Sequence, residues 1–285
     1  TRLTLETDPD RLTARVLDLI TPLGKGQRGR IVGPPGAGAT TLLQAVAAGL
    51  AANHPESRVF VLLVDGPTAA GPGPWHAVHP SAEVVITGPE QSAADRANAW
   101  TALIRRAEQV AETGGDAVVL IDSLNGLVKV LDAVAPRIGG WWSATSEAWA
   151  QARQLFRPAS GVEGGGSLTI LATIRTQTKS GWDTRIDDEF RGCGNVEVHL
   201  DQRLVENGIW PAINPVLSRT LGAELLVPAE ELKVMRVVRS VFADVHPSEA
   251  MEMFLRQLKR FRTNADFVRH HVRDLAPPPS DQGDL

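Results

Sequence analysis

Hydrophobic positions along the chain fall into two alternating kinds of run. One kind is short and almost wholly apolar: Ile31-Val32 entering a glycine-rich turn, Val59-Phe60-Val61-Leu62-Leu63-Val64 ending on Asp65, Ala117-Val118-Val119-Leu120-Ile121 ending on Asp122, and Leu168-Thr169-Ile170-Leu171-Ala172-Thr173-Ile174. Strands covered on both faces have this composition, because neither set of alternating side chains meets water. Glu83-Val84-Val85-Ile86-Thr87 predicts a further strand. The other kind has helical spacing and lies between the strands, at 42–47, 94–112, 124–134 and 146–156. Strand and helix in alternation predict an α/β fold, a parallel sheet with helices on both faces. Residues 228–274 predict a helical C-terminal subregion.

The remaining stretches are read from local signals. Arg2-Leu3-Thr4-Leu5 alternates, and Asp10 is placed to cap a helix over 12–19. The segment 66–74, rich in glycine and proline, predicts a loop with no helix. Residues 196–200 and 209–213 predict strands flanking a hairpin at Glu206-Asn207-Gly208, and Pro277-Pro278-Pro279 predicts a disordered tail.

The chemistry concentrates at Gly33-Pro34-Pro35-Gly36-Ala37-Gly38-Ala39-Thr40-Thr41. Strand, glycine-rich turn and helix together make a phosphate-binding loop, in which backbone N–H groups and the helix N-terminus face an anion. Gly33, Gly38 and Thr40 fit the usual G-x-x-x-x-G-K-[ST] pattern, but Ala39 stands at the lysine position. Asp65 and Asp122 close two strands, and ligands of open parallel sheets sit at those carboxyl ends.

Composition narrows the classes. The 285 residues are 43% hydrophobic and 22% charged with net charge −4, so any nucleic-acid contact must come from a local cluster rather than a global basic surface. Cys193 is the single cysteine, which excludes an internal disulfide framework and suits a reducing cytoplasm. No apolar run approaches the ~18 residues of a membrane span, so a cytoplasmic protein without membrane contact is expected. Starting at Thr rather than Met, the chain is expected to be a fragment lacking upstream domains. There are seven Trp and no Tyr; Trp149, on a predicted helix, is expected in the core. Cys193, between two glycines, is expected to be structural. Arg256, Lys259, Arg260 and Arg262 are expected on a wet helix face or an edge meeting a neighbouring subunit. His270 and His271 lack other ligands at metal-binding spacing and are expected at a solvated helix end.

Several stretches in order — residues 12–19, Gly26-Gln27-Arg28-Gly29, 164–170, Pro211-Ala212-Ile213 and Thr263-Asn264 — closely resemble the C-terminal ATPase domain of bacterial transcription termination factor Rho, over about residues 10–270. The resemblance implies a RecA-like P-loop NTPase fold, divided as a lead-in segment 1–27, a Rho-like RecA-type domain 28–274 and a disordered Pro-rich tail 275–285. Rho is a homohexameric motor that hydrolyses ATP between subunits and pulls RNA through its ring. Its N-terminal RNA-binding domain has no counterpart here.

By the resemblance, nucleotide contacts map to Gly33, Gly36, Gly38, Ala39, Thr40, Thr41, Asp122 and Trp210, with Trp210 at the position of an adenine-stacking Phe. Thr40 and Asp122 would hold Mg²⁺, if any is bound. The departures from Rho fall on the catalytic groups. Both loop lysines are replaced, by Gly36 and Ala39. The carboxylate that follows the second strand's aspartate and activates water is replaced by Gly66. An arginine four residues past Asp122 is Gly126, and two arginines offered to the neighbouring subunit are Leu217 and Leu221, with Arg219 between them. Of the loops that carry lysines to RNA, one maps onto Arg137 and Trp141 and the other onto Lys179 and Trp182, where basic residues and Trp suggest a stacking platform. The expectation is a pseudo-ATPase acting by binding. No cofactor is expected, with ATP and Mg²⁺ only if the degenerate site still binds. The expected partner is an authentic Rho or a second copy in a ring-type oligomer, with single-stranded RNA as a further partner. The alternatives are a residual ATP-dependent RNA translocase and a self-assembling or RNA-binding scaffold.

Overall fold

The computed structural model describes residues 1–65, 71–135, 146–157, 165–243 and 245–275. In chain order the elements are β1 (Arg2–Leu3), α1 (Leu12–Ile20), β2 (Leu23–Gly24), β3 (Arg28–Gly33), α2 (Ala39–Asn53), β4 (Arg58–Val64), α3 (Gly73–Val78), β5 (Glu83–Thr87), α4 (Ala93–Glu112), β6 (Asp116–Asp122) and α5 (Leu124–Val134). There follow α6 (Ser146–Gln154), β7 (Ser167–Arg175), α7 (Gly181–Phe190), β8 (Val196–His199), α8 (Gln202–Glu206), β9 (Arg219–Thr220), α9 (Ala229–Ala243), α10 (Pro247–Leu258) and α11 (Asn264–Leu275).

The main sheet has the order β5-β4-β6-β7-β3-β8-β9. All its pairings are parallel except the last, where β9 runs antiparallel to β8. Each buried strand serves two cores. Val59 and Val61 of β4 join one hydrophobic cluster with α1, α2 and the C-terminal helices, while Phe60, Leu62 and Val64 join the other with α4 to α7. This division is why the strand runs read as continuously apolar. Leu3, Leu5 and Leu17 belong to the first core, so the segment 1–27 packs into the same body. Trp149 is buried in the second.

Three local readings are corrected. Asp10 does not cap α1: Arg11 occupies the cap position and makes no side-chain cap bond. The segment 66–74 is not all loop, because α3 starts at Gly73; its Pro74 lies in the first turn, where a missing N–H is harmless, and Trp75 is buried. The predicted hairpin is a helix. Asp201 accepts a bond from the Arg203 amide to cap α8, and Gly208, at φ +67°, follows the helix end instead of turning between strands. Residues 209–213 contribute only the bridge Leu200–Ile213, and the antiparallel partner of β8 is β9. The last helix runs through Leu275, and the Pro-rich tail beyond it lies outside the described residues. Among those described, no helix is long and apolar enough to cross a membrane.

Candidate functional site

β3 delivers the chain to the phosphate loop and α2 leaves it. Gly36 and Gly38 have φ of +80° and +88°, left-handed values that glycine adopts without strain. Gly38 is the N-cap of α2 and no side chain caps that end. The first N–H groups of a 15-residue helix therefore remain directed at the loop, as an anion site requires. Thr40 and Asp122, the two Mg²⁺ candidates, lie together: the Thr40 hydroxyl donates to Asp122 Oδ2 at 2.5 Å, and the Thr173 hydroxyl donates to Asp122 Oδ1 at 2.7 Å. A hydroxyl and a carboxylate are the kind of hard oxygen donors that Mg²⁺ takes when it arrives with phosphates. No group of three or more His, Cys, Asp or Glu side chains forms a metal cluster among the described residues.

Two cavities of about 310 Å³ flank the loop. One is lined by Gly36, Gly38, Thr41, Trp210 and Pro211. Trp210 is half exposed and its ring rests on the loop: a Cβ added to Gly38 would stand 2.8 Å from Trp210 Cζ3. The other contains Thr40, Asp65, Asp122 and Arg175. Ala39 packs against the apolar core and offers no charge.

Arg175 is the one cationic side chain lining either cavity among the described residues, and the sequence reading missed it. It ends β7 in register with Gly33. Asn125 fastens its backbone, accepting from the Arg175 amide at 2.8 Å and donating to its carbonyl at 3.1 Å, while its Nε has no partner. The available signal was an arginine closing an apolar strand at the sheet's carboxyl edge. Asp65, itself at φ +59°, is ion-paired with Arg96. Gly66 lies outside the described residues. At Gly126 an added Cβ would meet Val64 Cγ1 at 2.8 Å, so any larger residue there requires Val64 to move.

Leu217 and Leu221 are each 55% exposed, in company with exposed Val216 and Leu225, so the positions that the resemblance maps onto arginine fingers present apolar surface. Arg219 is engaged within its own chain, 3.3 Å from Glu197. Glu197 also holds Arg30 and lies 3.2 Å from His199. The hydrogen bond from His199 and the nearby arginines hold its carboxyl down at about 2, against the cost of burial. Of the RNA-contact candidates, Lys179 is exposed on the loop between β7 and α7. Trp182 stacks on the buried Trp149 with ring centroids 6.0 Å apart and planes 3° from parallel, and Arg185 lies over Trp149 at 5.2 Å. One Trp182 face is thus committed to the fold. Arg137 and Trp141 lie outside the described residues. Arg256, Lys259, Arg260 and Arg262 are exposed as expected, and the His271 ring packs on Phe267.

The nucleotide-binding domain of the ATP synthase alpha/beta family matches residues 13–220. The chain is similar to transcription termination factor Rho of Aquifex aeolicus, with 40% identity over 270 residues, covering 94% of this chain and 62% of that protein. Rho of Streptomyces lividans is 37% identical over 280 residues, covering 98% of this chain and 39% of the relative. The chain thus spans between about two-fifths and three-fifths of these relatives. Among solved structures, a prototypical ATPase from the type III secretion system of pathogenic bacteria superposes with TM-score 0.74 at 18% identity, covering 92% of this chain and 83% of that one. The assembled ATPase EscN of the enteropathogenic E. coli type III secretion system gives 0.72 at 19%, over 92% and 70%. These two likenesses show the fold: a RecA-like P-loop sheet with its helices.

Proposed function

The chain belongs to the ATP synthase alpha/beta family of nucleotide-binding domains as a Rho-like member, and from that premise we propose that it acts by binding rather than by turnover, as a pseudo-ATPase that modulates Rho-dependent termination. The observation carrying this reading is the loop itself, with helix N-terminus, threonine and aspartate in place and no cation at Ala39. A loop lysine neutralises the β- and γ-phosphates as charge develops, so its absence removes ground-state binding and transition-state stabilisation together. Leu217 and Leu221 add no charge from the finger positions, and Arg219 is held by Glu197. A missing arginine finger alone costs roughly 10³- to 10⁵-fold. Losing it together with the lysine leaves only positioning.

The surface at the finger positions carries Val216, Leu217, Leu221 and Leu225, exposed and apolar, which suits contact with another subunit. The partner is an authentic Rho subunit or a second copy of this chain. The test is to mix the purified protein with Rho of the same organism. Co-elution with slower Rho-dependent termination is expected. Independent elution with unchanged termination would overturn the reading in favour of a self-assembling or RNA-binding scaffold.

Arg175 supports a second reading, in which the cleft still holds a nucleotide and works as a residual RNA translocase. Its guanidinium shares a cavity with Thr40 and Asp122 and has a free Nε. In that case Thr40 and Asp122 would hold Mg²⁺, which supplies Lewis-acid neutralisation of phosphate oxygens when bound. Calorimetry with Mg²⁺ and a non-hydrolysable ATP analogue separates the readings: binding lost in Arg175→Met supports the second.

A further inference from the structure

The opposite end of the sheet buries an arginine that forms no ion pair among the described residues. β3 starts with Arg28-Gly29-Arg30, which sets two arginines on one face of a central strand. Both are buried, Arg28 at 5% exposure and Arg30 at 1%. They differ in what β8 places beside them. Arg30 is in register with Glu197 and forms an ion pair with it. Arg28 instead lies beside Asn195, whose side chain accepts from the Arg28 amide at 2.9 Å and whose own amide donates to the Arg28 carbonyl at 2.8 Å. No carboxylate lies within ion-pair distance of Arg28 among the described residues. Its Nη1 donates to the carbonyls of Gly26, Gln27 and Leu168, while its Nε has no partner. Glu108 attracts it from beyond contact distance, and a buried charge without a close counter-ion costs several kcal/mol, so an anion brought to Arg28 would be favoured.

Arg28 lines a cavity of about 630 Å³ between the end of α6 and the Gly192-Cys193-Gly194 turn. That volume is within the range of small-ligand sites, roughly 300–1,000 Å³. Arg153 and Arg157 line it too. Arg153 is answered by Glu189 at 2.8 Å, but Arg157 is exposed and has no ion pair among the described residues. The cavity therefore joins a buried guanidinium to a mobile-stemmed exposed one, with an amide and a thiol beside them. Guanidinium forks match the several oxygens of a phosphate group better than a single carboxylate matches two separate arginines. We propose that this cavity is a second anion site, distinct from the phosphate loop, that binds the phosphate group of a small phosphorylated ligand between Arg28 and Arg157.

Cys193 makes the site readable, because it is the only cysteine of the chain and lines the cavity. The experiment follows alkylation of Cys193 by iodoacetamide in the full chain, using pyrophosphate as the probe and sodium chloride at matched ionic strength as the control. Pyrophosphate should slow alkylation saturably and chloride should not. Removing one charge-assisted contact, in Arg157→Gln, should raise the half-protecting concentration at least roughly tenfold. Arg28→Met should abolish protection; if it fails to fold, the exposed Arg157 variant still decides the matter. Thr40→Ala, at the phosphate loop, should leave protection unchanged. Equal protection by chloride, no protection, or protection unaltered by Arg157→Gln would overturn the proposal. Single-stranded RNA protecting at lower concentration than pyrophosphate would also overturn it, assigning the arginines to a polymer.

Discussion

The two ends of β3 are opposites. At its carboxyl end the phosphate loop keeps the geometry for an anion, with left-handed glycines, an uncapped helix and Thr40 on Asp122, but Ala39 brings no charge. At its amino end Arg28 brings a buried charge that three backbone carbonyls hold and that forms no ion pair among the described residues. Backbone shape at the loop follows from the fold, since strand, turn and helix must connect whether or not phosphate binds. The charge at Arg28 does not follow from the fold in that way. Geometry alone therefore says little about retained activity, whereas a buried charge without a close counter-ion is costly to keep and points to a ligand.

The sharpest test of that contrast compares the two arginines. Glu197→Gln strips the counter-ion from Arg30 and should cost about 3–5 kcal/mol in urea unfolding, the range for breaking a buried ion pair. Arg28→Met breaks no ion pair but leaves the carbonyls of Gly26, Gln27 and Leu168 without that donor, and should cost less, about 1–3 kcal/mol. Similar losses for the two variants would mean that Arg28 has a structural role the ion-pair argument omits.

The pH profile sharpens the same point. Glu197 is depressed to about 2, through His199 and the two arginines, from the ordinary value of 4.5. Its contribution is present above the ordinary value and is lost as pH falls through the depressed one. Wild-type stability should therefore fall over that interval more steeply than that of Glu197→Gln. Asp18 runs the other way. Burial raises it to about 6, against the pull of Arg2 and the amides of Leu5 and Glu6. The stability it contributes is present below its ordinary value of 3.8 and is lost as pH rises through about 6. Asp18→Asn should flatten that smaller slope, and an unchanged slope would place the titration elsewhere.

The smallest expected effect is a partial rescue. Ala39→Lys restores the loop's point charge and should strengthen binding of a Mg²⁺–ATP analogue by roughly tenfold or more. It should not restore turnover, because Leu217 and Leu221 still supply no charge. Unimproved binding would show that Trp210, resting on Gly38, closes the loop to phosphate.

Much of this was legible in the chain. The strands could be read because both faces of Val59–Val64 and its neighbours are covered, leaving no polar alternation to confuse. Thr40 and Asp122 could be paired through the resemblance to Rho, which maps both onto one Mg²⁺ site. Other features needed coordinates. The Arg96–Asp65 pair joins residues far apart in sequence, and the end of an apolar strand marks Arg175 without showing that it shares a cavity with Thr40 and Asp122. Asn207-Gly208 marks a turn in either setting, and only the Asp201 cap decides that a helix precedes it. Arg28 and Arg30 look alike in sequence; the register that gives one a glutamate and the other an asparagine separates them.

If the loop keeps its shape without its chemistry, phosphate release is the direct readout. With saturating ATP, Mg²⁺ and single-stranded RNA, the wild-type chain should release phosphate no faster than its Thr40→Ala variant. Turnover in the wild type that disappears in Thr40→Ala would contradict the account.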